Sequence, residues 1–141
     1  MAITFSQQIE NLTLPSETLL KKWITCVISN QGKRVGVISY LFCDDDYVLS
    51  ANQTFLNHDT YTDIITFDYV EGDVISGDIM ISVDRVKENS AIFNTSFEQE
   101  LLRVIIHGIL HLLGQGDKTD IDAAEMRNRE NNALALWKTI I

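Results

Sequence analysis

The sequence predicts an α+β fold: a single domain over residues 1–141, with helices packed on a small mixed β-sheet. Three observations carry this. Strand-like and helix-like segments follow one another in a mixed order. Two strand-like stretches, 62–70 and 77–82, lie close enough to pair as antiparallel neighbours. The 141 residues, 45% hydrophobic and 22% charged with one proline, suffice for one buried core and show no linker, repeat or low-complexity tract.

The elements follow in order. "ITF" at 3–5 reads as a short strand. "PSETLLKKWITCVISNQG" has Pro15 and Ser16 at its start, apolar residues at 19, 20, 23, 24, 27 and 28, and Gly32 past its end, which is a helix with both boundaries signed. "KRVGVISYLF" is β-branched and aromatic, hence a strand. "DDDYVLSANQTFLN" opens on carboxylates suited to a helix N-terminus and repeats apolar residues at 47, 48, 51 and 55. "TDIITFDYV" is a strand, residues 70–77 hold a turn, and "GDIMIS" is the next strand. "VDRVKENSAIFN" reads as a helix. "SFEQELLRVIIHGILHLLG" is a long central helix capped by Ser96 and ended by Gly114. After the loop "QGDK", Thr119 and Asp122 open a last helix over 119–140.

Charge and cysteine usage narrow the function. A net charge of −9 argues against non-specific nucleic-acid binding, which relies on Lys and Arg against phosphate. Local cations remain at Lys33 with Arg34, Arg85 with Lys87, and Arg103, and a bound dication can also serve a small cleft. Cys26 and Cys43 show no metal or CxxC spacing and read as buried free thiols. The N-terminal residues carry no signal-peptide pattern. The longest apolar run, 104–113, is too short for a membrane span. A cytoplasmic protein without a membrane partner is expected.

The chemistry gathers in "VIIHGILHLLGQGDKTD". His107 and His111, four apart on a helix, lie on one face and can aim at one point. Gly114 permits a left-handed exit, Gly116 adds freedom, and the reversal can return Asp117 over the helix end. Two imidazoles and a carboxylate leave a fourth position open, as in catalytic zinc sites. Two packed core histidines are the alternative, but burying both imidazoles together is costly. Gly108 stands where H-E-x-x-H proteases carry their glutamate base, which counts against peptide hydrolysis. A mid-helix glycine also costs about 1 kcal/mol; close approach of a substrate and tight helix packing both explain it.

"HGILHLLGQGD" resembles the H-G-x-L-H-L-x-G-x-x-H signature of the YbeY family of ribosomal RNA maturation endoribonucleases, at His107, Gly108, Leu110, His111, Leu112 and Gly114. Upstream, "NQTFLNHDTYTDIITFDY" is similar to that family's N-x-x-[FY]-R-x-x-D-x-x-T-D-[VI]-L-S-F segment at Asn52, Phe55, Asp59, Thr62, Asp63, Ile64 and Phe67. "SGDIMIS" matches its G-D-I strand at Gly77, Asp78 and Ile79. Two departures stand out. Asp117 occupies the third ligand position, usually histidine. It lowers the formal charge of a zinc site from +2 to +1, which should make bound water harder to deprotonate and the site more tolerant of other divalent ions. Leu56 stands where the family carries an arginine implicated in activity. Arg103, one turn before His107, or the Lys33–Arg34 strand is left to supply a cation. His58 reads as an exposed loop residue.

The resemblance implies a zinc-dependent endoribonuclease specific for single strands, acting on ribosomal RNA at the 3′ end of the small-subunit RNA, with the small subunit as partner and no role for DNA. Metal ligands are expected at His107, His111 and Asp117. Asp63 and Asp78, near the starts of the paired strands, and Arg103 are the expected catalytic side chains, although both aspartates also suit turn capping. Two other functions fit the residues: an assembly factor that binds RNA around a structural metal, and a metal-dependent hydrolase of small molecules.

Overall fold

The computed structural model describes residues 2–58 and 60–141; Asp59, one of the motif positions above, lies outside them. Nine elements follow along the chain: β1 (Ala2–Gln7), α1 (Glu17–Asn30), β2 (Arg34–Cys43), α2 (Asp45–Leu56), β3 (Ile64–Asp68), β4 (Val74–Ser82), α3 (Val83–Ile92), α4 (Phe97–Leu112) and α5 (Asp120–Ile140). Each helix begins where a short polar side chain can satisfy a free backbone N–H. Ser16, Asp44, Ser82, Ser96 and Thr119 accept from the amides of Leu19, Tyr47, Arg85, Gln99 and Asp122 respectively.

The sheet order is β1-β2-β4-β3. The first three strands are parallel and β3 runs antiparallel to β4, so the sheet is mixed, as the sequence predicts. Two strands are longer than their composition suggests. Polar Ser6 and Gln7 continue β1 because the parallel ladder with Leu41 and Phe42 of β2 holds their backbone. Likewise β4 starts at Val74, paired with Arg34. The turn occupies residues before Val74 and not 70–77, with Gly72 at φ 58°.

Alternation along the strands sorts the core. Ile38, Tyr40 and Phe42 of β2 and Ile75, Ile79 and Ile81 of β4 face a layer of α1, α3, α4 and α5 and join the main core. On the other face, Cys43, Val48, Ala51 and Ile65 form a smaller cluster beneath α2. The helical layer is pinned by two buried polar contacts. The Tyr40 hydroxyl donates to the Ile105 carbonyl of α4 at 2.8 Å. The Trp23 indole donates to the Ala133 carbonyl of α5 at 2.8 Å, with Trp137 packed edge-on at 5.2 Å.

α4 is buried on nearly every side and lies hard against the sheet because two glycines meet there. A Cβ on Gly77 would stand 2.6 Å from the Phe67 carbonyl oxygen and 2.9 Å from Leu112 Cδ2. One on Gly108 would stand 2.9 Å from Ile79 Cδ1 and 3.1 Å from Ile64 Cδ1. Gly108 is thus accounted for by helix packing. Arg103, His107 and His111 are spared this burial. Spaced four apart, they form one partly exposed stripe along α4.

Candidate metal centre

α4 ends in a Schellman turn. Gly114, at φ 96°, donates to the His111 carbonyl, and Gln115 donates to that of Leu110, both at 2.9 Å. The chain then turns back over the helix end, as the glycine predicts. Gln115 is buried and fixes the loop that follows. Its amide nitrogen donates to the carbonyls of Gly116 at 2.9 Å and Asp122 at 3.3 Å, while its oxygen accepts from Arg129 at 3.1 Å.

This loop carries Asp117 to the histidine pair. Asp117 Oδ2 lies 3.3 Å from His107 Nε2 and 3.4 Å from His111 Nε2, and the three donor atoms all fall within 4.8 Å of one another. The imidazoles stand nearly perpendicular, 4.5 Å between centroids. A tetrahedral zinc with bonds of about 2.05 Å sets its ligand atoms about 3.3 Å apart. The spacing and the donor set both fit such an ion. The expected ligand trio is therefore brought together by one helix face and one loop.

Behind His107 stands a residue that the sequence reading missed. The His107 Nδ1–H donates to Glu130 Oε2 at 2.6 Å, which turns Nε2 toward Asp117. Glu130 is buried on α5 and is held from its other side by Arg103, whose Nη1 donates to Oε1 at 2.9 Å; Arg103 Nη2 donates to Asn131 at 2.8 Å. A signal for Glu130 did exist. Met126, Glu130, Ala133, Leu134 and Trp137 share one buried stripe of α5, and a lone carboxylate on an apolar stripe demands a partner.

The electrostatics follow from these contacts. Burial disfavours a proton on His107, yet the hydrogen bond to Glu130 and the nearby carboxylates outweigh it and hold its pKa above the ordinary histidine value. Burial and the neighbouring His107 push His111 below it. Burial would raise Glu130, but its bonds to His107 and Arg103 hold its carboxyl below the usual range. Asp63, just before β3, is raised by burial despite the pull of His107, and its Oδ2 accepts from Asn89 at 3.4 Å.

The structure separates the three side chains expected to be catalytic. Asp63 faces the α4 side within electrostatic reach of His107. Arg103 is engaged behind the cluster by Glu130 and Asn131. Asp78 is not brought to the cluster: it alternates with Gly77 and Ile79 on β4, and so projects from the opposite face into a groove with Phe55, Phe67 and Tyr69. On the cluster's own side, a cleft of about 450 Å³ opens, lined by Leu56, Thr66, Asp68, His111, Asp117 and Lys118. His58 is exposed, as expected. Among the described residues, no helix is long and apolar enough to cross a membrane.

Comparisons with known proteins match the chain over nearly its full length. The family profile described as Endoribonuclease YbeY matches residues 3–138. The chain is 52% identical over 134 residues to Endoribonuclease YbeY of Porphyromonas gingivalis strain W83, covering 94% of this chain and 89% of the relative. It is 49% identical over 140 residues to that of Bacteroides fragilis strain ATCC 25285, covering 98% and 99%. The solution structure of TM1509 from Thermotoga maritima superposes with a TM-score of 0.66 at 28% identity, covering 98% of this chain and 93% of that one.

Proposed function

The chain belongs to the YbeY family of endoribonucleases, and from that premise we propose that it hydrolyses phosphodiester bonds in single-stranded ribosomal RNA with zinc held by His107, His111 and Asp117. The observation that carries the zinc reading is the placing of two imidazole Nε2 atoms 3.3 and 3.4 Å from one carboxylate oxygen, at the wall of an open cleft. The relatives, which are endoribonucleases by name, supply the reaction class. The small-subunit RNA 3′ end, the ribosomal small subunit and a cytoplasmic setting are proposed with it.

When bound, zinc supplies Lewis acidity toward a phosphoryl oxygen and a nucleophile at neutral pH. The protein's own groups prepare the site. Glu130 fixes the His107 tautomer, and Arg103 holds Glu130 in place, so Arg103 acts through Glu130 as a positioning residue. Gln115 sets the path of the loop and thereby the reach of Asp117. Asp63, half-buried and with its pKa raised, is the carboxyl group that can hold a proton beside the ligand face. Asp78 has no part in bond cleavage in this scheme, since the sheet lies between it and the cluster. A cleft beside β3 accepts a flexible single strand more readily than a rigid duplex, which would need a wide basic face.

Cleavage assays test this directly. Zinc-loaded protein is expected to cut a single-stranded RNA, to spare the same sequence in a duplex, and to lose activity with chelator or on His111→Ala. Elemental analysis should find one zinc in the wild type and a sharply reduced amount in His107→Ala. Full zinc occupancy in that variant would sink the ligand set. Robust RNA binding without cleavage by loaded protein would instead favour an assembly factor.

A further inference from the structure

We propose that Lys118 is the cation that grips the phosphate backbone of the substrate, supplying from the α4–α5 loop the charge that Leu56 does not. The proposal rests on the ribonuclease reading for the nature of its ligand. A polyanion entering the cleft meets Asp68 and the ligand carboxylate Asp117, so a positive side chain on the same wall is needed to favour its approach. Leu56, 42% exposed at the end of α2, contributes only apolar surface.

The remaining cations near the site are occupied. Arg103 is bound to Glu130 and Asn131. Arg129 donates to Gln115. Arg85 is paired with Asp45 and Glu88 and lies over the Tyr61 ring, while Lys33 is paired with Asp73. Arg127 lies over the Phe93 ring and within 3.9 Å of Glu130. Lys118 lines the cleft with His111, Asp117 and Leu56 and forms no ion pair with any described residue. Asp68, the other carboxylate on that wall, already accepts from the Val70 amide at 2.8 Å.

Position reinforces the assignment. Lys118 directly follows Asp117, so its flexible four-carbon stem starts beside the cluster and can place an ammonium over a phosphate held there. Leu56 borders the same cleft, so an arginine introduced at that position would reach the same volume.

The test measures binding without cleavage. Metal-free protein is kept in chelator, and its affinity for a single-stranded oligoribonucleotide is followed across salt concentrations. Losing one phosphate contact lowers the log–log salt slope by about 0.7. Lys118→Met is expected to show that loss and to weaken binding about fivefold at moderate salt. Lys118→Arg should retain both values, and Leu56→Arg combined with Lys118→Met should restore them. Zinc affinity, measured by competition with a chromophoric chelator, is expected to be unchanged in Lys118→Met. An unaltered slope in Lys118→Met overturns the proposal. A tenfold loss of zinc affinity with the slope intact also overturns it, since Lys118 would then be supporting Asp117. Failure of loaded wild-type protein to cut RNA, with the slope change present, would refute the nuclease reading and leave the phosphate grip standing.

Discussion

His107 carries two duties on two nitrogens, and Glu130 decides between them. With Nδ1–H committed to a buried carboxylate at 2.6 Å, Nε2 is left as the donor toward the proposed ion, and the negative charge behind the ring would strengthen it as a ligand. Glu130→Gln keeps the size and an oxygen acceptor but removes that charge. It is expected to weaken zinc binding about 10–100-fold, read by chelator competition, while Asn131→Ala leaves zinc affinity near wild type. Equal zinc affinity in Glu130→Gln would show the contact to be structural only. The clustering of His107, His111 and Asp117 was legible because the three lie within eleven residues of sequence with a glycine stop between. Glu130 was not, because its partner lies 23 residues away and only the packing of α5 on α4 reveals the pairing. Arg103 was assigned to phosphate for the same reason: its position one turn from His107 was visible, but the carboxylate that claims it was not.

Among the elements, α4 is the one that every other part positions. Its boundaries were readable from Ser96 and Gly114, and its sidedness from the apolar residues between them. What the sequence left open was how near it lies to the sheet, because a glycine in a strand and one in a helix look equally permissive until their neighbours are known. The two now differ in a measurable way. At Gly77 a methyl group would meet the Phe67 carbonyl, a backbone atom that can retreat only by bending β3. Gly77→Ala is expected to cost about 1–3 kcal/mol in urea denaturation. At Gly108 the neighbours are side-chain methyls of Ile79 and Ile64, which yield more readily than a backbone atom, and alanine gains about 1 kcal/mol of helix propensity. Gly108→Ala should therefore cost less than Gly77→Ala, and the reverse ranking would contradict the packing described. Strand lengths were the other weak point. Ser6, Gln7 and Val74 join the sheet through backbone pairing, which leaves no trace in side-chain pattern.

At the scale of the molecule, stability and site chemistry oppose one another through Asp63. Burial raises its pKa in the folded state above that of the unfolded chain. The protonated form is therefore the one the fold favours, and the stability it lends is lost as pH rises through that raised value. Above that value the ionised carboxylate weakens the fold. Asp63→Asn should raise the melting temperature of metal-free protein at pH 7, and the gain should shrink as pH falls through the raised pKa. A melting temperature lowered at pH 7 would contradict this sign. The acidic balance of −9 was visible from composition, and so was the mixed α+β order of elements. The distribution of the cations was not, since each ion pair joins residues distant in sequence.

The Trp23 indole finds its acceptor at Ala133, 110 residues later, and Glu130 stands three residues before that acceptor. A chain in which α5 has not yet packed has its first helix waiting for that partner and His107 without its backing carboxylate. Readiness of the histidine face is thereby tied to one docking event, since the helix that closes over the first indole also brings the carboxylate that backs the imidazole.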